Sequence, residues 1–218
     1  MQTMASPTDG ERPTDAVTVA QRYLSYERPL STLVGVVVAS VFLATYLLRG
    51  LLAAVLVGAA LVVVIRAPVL RPHGTIRLRS DDDVETVRAA FTGLTPPVLA
   101  FQWGIADAVT TANGVPTYVV SYLFGLRTNE VTVQTDTAPT AGGDTRVTLD
   151  VTINGHPWAT YTATIRDDSD ETVVDVAYVA ERGFGLRRLP QQLVLRHYRD
   201  EALEAQGYTV VERDAQLR

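Results

Sequence analysis

Residues 146–165, RVTLDVTINGHPWATYTATI, alternate between apolar and polar side chains on both sides of an Asn-Gly pair. Alternation with a period of two is typical of a strand that buries one face. Asn154-Gly155 favours a two-residue turn between antiparallel strands, because both residues accept a positive φ. The segment therefore predicts a β-hairpin whose buried face carries Val147, Leu149, Val151, Ile153, Ala159, Tyr161, Ala163 and Ile165.

Further strand-like segments lie on both sides of this hairpin. They show apolar and β-branched residues in short runs bounded by Gly, Pro, Asn or Asp. Residues 208–213 form either a short closing strand or an extended tail. The other predicted strands are 75–79, 98–105, 117–124, 130–135 and 172–180.

A first helix is predicted after the acidic triplet Asp81-Asp82-Asp83, where apolar residues follow at helical spacing up to Phe91. Acidic side chains suit a first helical turn because they complement the helix dipole. Such a triplet can also bind Ca²⁺ or Mg²⁺, but it lacks the alternating ligand spacing of a calcium loop. We therefore interpret the triplet as a helix cap and a solvated surface.

A long second helix is predicted near the C-terminus. Pro190 suits its first turn and Gly207 its end. Two i,i+4 pairs, Arg196 with Asp200 and His197 with Glu201, would flank it. Its apolar stripe consists of Val194, Leu195, Tyr198, Ala202 and Ala205.

The composition narrows the class of protein. The chain has 218 residues, 47% of them hydrophobic, and no cysteine, which excludes a disulfide scaffold and thiolate metal sites. All 19 basic residues are arginine, and 24 residues are acidic. This balance resembles that of cytosolic proteins from extreme halophiles, although a GC-rich genome alone would also deplete lysine. Residues 73–218 carry the acidic excess, which disfavours a nucleic-acid partner.

Residues 30–65 are almost purely apolar, interrupted only at Arg49-Gly50. One straight helix of this length would measure about 54 Å, whereas the hydrocarbon core of a bilayer is only about 30 Å thick. The segment therefore predicts a transmembrane helical hairpin with spans at 30–48 and 51–70. A cleaved signal peptide and a hairpin buried in a soluble core are the alternatives, and both fit this run less well.

The flanking arginines predict the orientation. They outnumber the single Arg49 of the turn, so both termini are expected in the cytoplasm and the protein in the cell membrane. The spans contain no acid, His, Asn or Gln, which favours an anchor over a transporter. Small residues four apart, such as Gly35 and Ala39, allow the spans or a homo-oligomer to pack.

These features divide the chain into three parts. Residues 1–29 are expected to form a disordered tail and a juxtamembrane helix starting near Asp15, or else a plain linker. Residues 30–70 form the predicted transmembrane hairpin, and residues 73–218 a cytoplasmic α+β domain.

The order of strand, helix, antiparallel strands and long C-terminal helix resembles the helix-grip fold of the START and polyketide-cyclase-like (SRPBCC) superfamily. The resemblance covers about residues 74–213 and includes GLRRLPQQLVLRHYRDEALEAQGY (185–208), which is similar to that family's final helix. The segment SDDDVETVRAAF (80–91) lacks the proline and tryptophan that the family usually carries there. The resemblance implies a sheet wrapped on the helix, with an apolar molecule bound between them.

No catalytic motif stands out in the sequence. The three histidines, His73, His156 and His197, belong to different predicted elements, and nothing in their spacing brings them together. We expect no metal and no cofactor. In a helix-grip protein the final helix floors the cavity, where His197 would be a polar contact or else a surface partner of Glu201. The candidate ligand-binding residues are Phe101, Trp103, Tyr118, Tyr122, Tyr161, His197 and Tyr198. The alternative for each of them is a position in the core or on the surface without contact to a ligand.

The leading hypothesis is a non-catalytic, membrane-anchored domain that binds a lipid or another apolar small molecule. A membrane-tethered scaffold without a ligand is the first alternative. An enzyme of cyclase or aromatase type is the second, suggested by the superfamily alone.

Overall fold

The structure is a computed structural model that describes residues 13–66, 72–112, 114–122, 127–169, 171–181, 183 and 198–217. Eight strands form its sheet. They are β1 (Pro72–Ser80), β2 (Ala108–Ala112), β3 (Val115–Tyr122), β4 (Arg127–Pro139), β5 (Thr145–Ile153), β6 (His156–Asp168), β7 (Glu171–Ala180) and β8 (Tyr208–Leu217).

The strands follow the order β2-β3-β4-β5-β6-β7-β1-β8, and all neighbouring strands are antiparallel. The predicted α+β class with an antiparallel sheet is therefore confirmed. Its central hairpin turns at Asn154 and Gly155, whose φ angles of 51° and 73° match the expected turn. Residues 208–213 belong to strand β8, which pairs with β1 at one edge of the sheet.

The helices are α1 (Thr14–Arg49), α2 (Leu51–Arg66), α3 (Val84–Thr92), the 3₁₀ helix η1 (Pro97–Leu99), α4 (Ala100–Gly104) and α5, of which residues 198–204 are described. The predicted strand at 98–105 is wrong, because this segment contains η1 and α4. Pro97 suits the start of a helix, and Trp103 Nε1 donates a hydrogen bond to the carbonyl of Pro96 at 2.9 Å, which closes the segment on itself.

The first two helices form a hairpin at the predicted position. Gly50 lies between them with φ of 84°, and Gly58 of α2 contacts the ring of Phe42 of α1. These two residues are equally far in sequence from Gly50, so the helices run antiparallel. No helix in the described ranges is both long and apolar enough to cross a bilayer, so the expected transmembrane hairpin is not found.

Helix α1 also contacts the α+β domain, which the sequence did not predict. It runs without a break from Thr14 through the expected boundary at residue 29. Near its start Ala16, Val19 and Ala20 are buried, and Ala20 lies against Gly104 of α4. The first turns of α1 are therefore part of the domain's surface layer.

The core of the domain fills the concave face of the sheet. Inward side chains of the central strands, among them Val133, Leu149 and Ile165, are fully buried. Helix α3 covers one part of this face, where the ring of Phe91 meets that of Tyr208 edge-on at 6.0 Å. The rest is covered by η1, α4 and α5, and the candidate site lies beneath them.

Candidate functional site

A cavity lies between the sheet and the layer formed by η1, α4 and α5. The space between its walls, including the open mouth, is about 430 Å³. The centre of a water molecule fits in only about 30 Å³ of this space. The space is therefore narrow, with room for about two water molecules. Its lining residues are Ile76, Pro97, Val98, Ala100, Phe101, Tyr161, Val176, Tyr178, Arg199, Ala202, Leu203 and Arg213.

The strands supply the floor of the cavity. Ile76 of β1 pairs with Val176 of β7 on one side and with Arg213 of β8 on the other. Beside them, Tyr161 of β6 pairs with Tyr178 of β7, and their rings are stacked at 6.1 Å with an angle of 27°. The alternation that predicted a buried face for β6 thus also positions an aromatic pair at the site.

The helices supply the roof. Residues 199, 202 and 203 of α5 line the cavity together, because side chains three and four residues apart share one face of a helix. Gln206 closes the end of this helix, where its Nε2 donates to the carbonyl of Ala202 at 2.7 Å. Phe101 of α4 contributes the one aromatic ring of the described roof.

The charged residues in the described lining of the cavity are both positive. Arg199 and Arg213 are the charged residues among its described lining, and no carboxylate belongs to that lining. Arg213 forms an ion pair with Asp200, which ties β8 to α5. Burial raises the pKa of Tyr161, and the nearby Arg199 charge partly offsets that rise. Tyr161 is therefore a neutral hydrogen-bond donor at pH 7.

The structure brings together some of the predicted site residues. Phe101 and Tyr161 line the cavity. Trp103 and Tyr118 are fully buried outside its lining, and the Tyr118 hydroxyl donates to the carbonyl of Leu94 at 2.9 Å. Tyr198 is partly buried against the core cluster.

Two predicted site residues lie outside the described part of the structure. The side chain of Tyr122 and the whole of His197 are beyond the described residues. Arg196 and His197, the predicted partners of Asp200 and Glu201, also lie outside the described residues. Among the described residues, Asp200 pairs with Arg213 and Glu201 pairs with Arg22.

Sequence reasoning missed the two cavity arginines. A signal for Arg199 existed, since it precedes Ala202 and Leu203 at helical spacing. The predicted apolar stripe runs through Tyr198 and Ala202. The face of α5 that lines the cavity is turned from this stripe by about 100° around the helix axis, the angle between two consecutive residues. Nothing local indicated Arg213, because its strand reaches the site only through pairing with β1.

The acidic triplet forms the cap that the sequence predicted. Asp83 accepts a hydrogen bond from the backbone N–H of Thr86 at 2.7 Å, which lowers the pKa of Asp83. The triplet lines a shallow surface depression with Glu85, Asp167 and Glu171. Within the part of the chain that the structure describes, no group of three or more His, Asp or Glu side chains is placed to hold a metal ion.

Comparisons with known proteins give only structural neighbours. No family model and no curated protein sequence matches the chain. A START superfamily protein from Mycobacterium smegmatis is similar over 62% of this chain and 97% of its own, with 12% identity and a TM-score of 0.38. An uncharacterised protein from Bacillus thuringiensis is similar over 62% and 96%, with 13% identity and a TM-score of 0.40. The protein Ara h 8.0201 is similar over 61% and 99%, with 10% identity and a TM-score of 0.36.

Proposed function

We propose that the α+β domain binds an apolar small molecule in the cavity between its sheet and α5. The observation that supports this is the lining, in which Phe101, Tyr161 and Tyr178 stand among aliphatic side chains. Pockets for small molecules are mostly apolar and aromatic with a few polar groups that fix orientation.

Binding requires the cavity to widen. A drug-sized ligand fills roughly 300–1,000 Å³, which is far more than the 30 Å³ now open to water. Widening would displace the short roof segments η1 and α4, which are helical and belong to no strand pair. The ligand would then replace contacts between Phe101 and the floor.

Photolabelling tests this proposal. The probe is dodecanol carrying a diazirine near its chain end, added to the full chain in mild detergent and molar salt, a solvent chosen for the acidic, lysine-free composition. We expect peptide mass spectrometry to find the label at Phe101, Tyr161 or Tyr178. Ala202→Phe fills the cavity and should abolish this label. Ala177→Phe, on the exposed outer face of β7, should retain it. Equal labelling of both variants would reject the cavity as the site.

We further propose that the α1–α2 hairpin attaches the protein to a lipid bilayer, with both termini on the cytoplasmic side. Large apolar side chains on both helices are exposed, including Leu48 at 79% and Leu52 at 77%. Apolar surfaces of this kind mark membrane or protein contacts. The uncharged runs at 30–48 and 51–65 favour lipid as the contact.

Vesicle flotation tests the attachment. The full chain should float with phosphatidylcholine–phosphatidylglycerol vesicles after a molar-salt wash. The double variant Leu43→Glu/Leu56→Glu should stay at the bottom, because both side chains lie on the exposed hairpin surface. The control Val179→Glu/Val211→Glu changes exposed valines of the sheet and should float. A wild-type chain that forms oligomers without floating would favour the scaffold alternative.

A further inference from the structure

We infer that the molecule bound in this cavity is an amphiphile with a single anionic head group, held by Arg199. The inference rests on the proposed function, since it names the chemistry of the same site's ligand. The observation behind it is an imbalance of charge. The described lining contains two arginines and no acidic residue among otherwise apolar and aromatic residues.

The two arginines differ in their partners. Arg213 is compensated by Asp200, with which it forms an ion pair at the side of the cavity. Arg199 has no ion pair with a carboxylate among the described residues, although it is partly buried. A cation withdrawn from water beside apolar groups is unfavourable unless a counter-charge accompanies it. One positive charge therefore remains at the cavity, which suits a monoanion.

The neighbouring tyrosines complete the head-group site. The side chains of Tyr161 and Tyr178 line the cavity beside Arg199. A phenol that stays protonated donates a hydrogen bond, which an anionic oxygen accepts more strongly than a neutral one. The apolar floor at Ile76 and Val176 would then hold the hydrocarbon part.

A competition experiment tests the charge preference. Laurate, dodecanol and dodecylamine have the same chain length, and each competes with the diazirine dodecanol probe on the full chain at pH 8. We expect laurate to displace the probe at a concentration at least tenfold below that of dodecanol. Dodecylamine should be weaker than dodecanol. Acetate, which offers the anion without the chain, should not compete.

Variants assign the preference to Arg199. Arg199→Gln should bring laurate and dodecanol to equal potency while dodecanol still binds. Arg199→Lys keeps the charge and should retain the preference for laurate, which also guards against a folding defect in the first variant. Arg88→Gln removes an arginine from the outer side of helix α3, where it pairs with Glu85, and should leave the tenfold difference unchanged.

The outcomes separate this inference from the proposed function. If dodecanol displaces the probe as well as laurate does, the cavity binds apolar molecules but the anionic head is rejected. If Arg199→Gln keeps the tenfold preference, Arg199 is not the group that holds the head. Competition by acetate at the laurate concentration would indicate a simple anion site and reject the amphiphile. If the probe labels no cavity residue, the proposed function fails together with the inference.

Discussion

The guanidinium of Arg22 lies 2.7 Å from the carboxylate of Glu201 and joins α1 to α5 across 179 residues of sequence. Helix α1 therefore contacts two of the three elements of the cavity roof, α4 through Ala20 and α5 through this ion pair.

We expect the Arg22–Glu201 pair to contribute little to stability. Its side chains are 53% and 34% exposed, and exposed pairs contribute about 0–1 kcal/mol because water and salt screen them. A double-mutant cycle with Arg22→Gln and Glu201→Gln, measured by urea unfolding, should give a coupling energy below about 1 kcal/mol. A coupling above about 2 kcal/mol would show that the pair locks the roof.

Gly104→Ala should loosen the start of α1 from the domain. A Cβ at this position would lie 2.9 Å from the Cβ of Ala20, so α1 or α4 must shift. Overpacking of this kind costs about 1–3 kcal/mol. Hydrogen exchange at residues 14–22 should accelerate, which mass spectrometry can measure. Gly142→Ala is the matched control, because its Cβ would meet side-chain oxygens only at 3.8 Å or beyond, and it should leave this exchange unchanged.

Tyr118→Phe should lower the free energy of unfolding by about 1 kcal/mol at pH 7, the value of a typical hydrogen bond. The variant keeps the ring in the core and removes only the hydroxyl that donates to the carbonyl of Leu94. Denaturant unfolding measures the loss. A variant as stable as the wild type would mean that water replaces the hydroxyl as donor to Leu94.

The same tyrosine should make the wild type sensitive to alkali. Burial raises the pKa of Tyr118 above its ordinary value. A raised pKa gives stability that is complete below the unfolded value of about 10 and declines as the pH rises beyond it. Thermal unfolding from pH 9 to pH 11 should therefore show a smaller decline for Tyr118→Phe than for the wild type. Parallel declines would contradict this assignment.

Asp175→Asn should weaken the acid dependence of stability. Partial burial opposes ionisation of Asp175, but hydrogen bonds from Arg77 and Arg166 at 2.7 and 2.5 Å outweigh it and lower the pKa. A lowered pKa gives stability that is present above the unfolded value of about 3.9 and lost as the pH falls through the folded value. Urea midpoints between pH 5 and pH 2 should decline less in the variant. Identical declines in both proteins would reject this role for Asp175.

The elements that the sequence predicted well have strong local signals. The β5–β6 hairpin has strict alternation around Asn154-Gly155, and α3 has its cap at Asp83. Residues 98–105 gave a wrong prediction because a short apolar run lacks a clear period and the prolines before it were the better signal. Strand β2 was missed because five residues at a sheet edge carry little pattern.

Among the residues that line the cavity, the predicted candidates include only aromatic ones. Phe101 and Tyr161 stood out by residue type, whereas Arg199 and Arg213 become cavity residues through the packing of α5 on the sheet and the pairing of β8 with β1. The described ion pairs of α5 also depend on packing, because Asp200 pairs with Arg213 of β8 and Glu201 with Arg22 of α1. No local spacing indicates these partners, and the predicted partners Arg196 and His197 lie outside the described residues.

Helix α1 is continuous from the domain to the hairpin. The number of residues between them therefore sets the direction in which the hairpin faces. The helix is held on α4 at Ala16 and Ala20 and ends at Arg49, where the hairpin turns. Because the helix is continuous between these points, Pro29 included, the azimuth of the hairpin about the helix axis is set by residue count. One residue inserted between Ala20 and Arg49 would rotate the hairpin by about 100° relative to the cavity, and seven would return it to within about 20°.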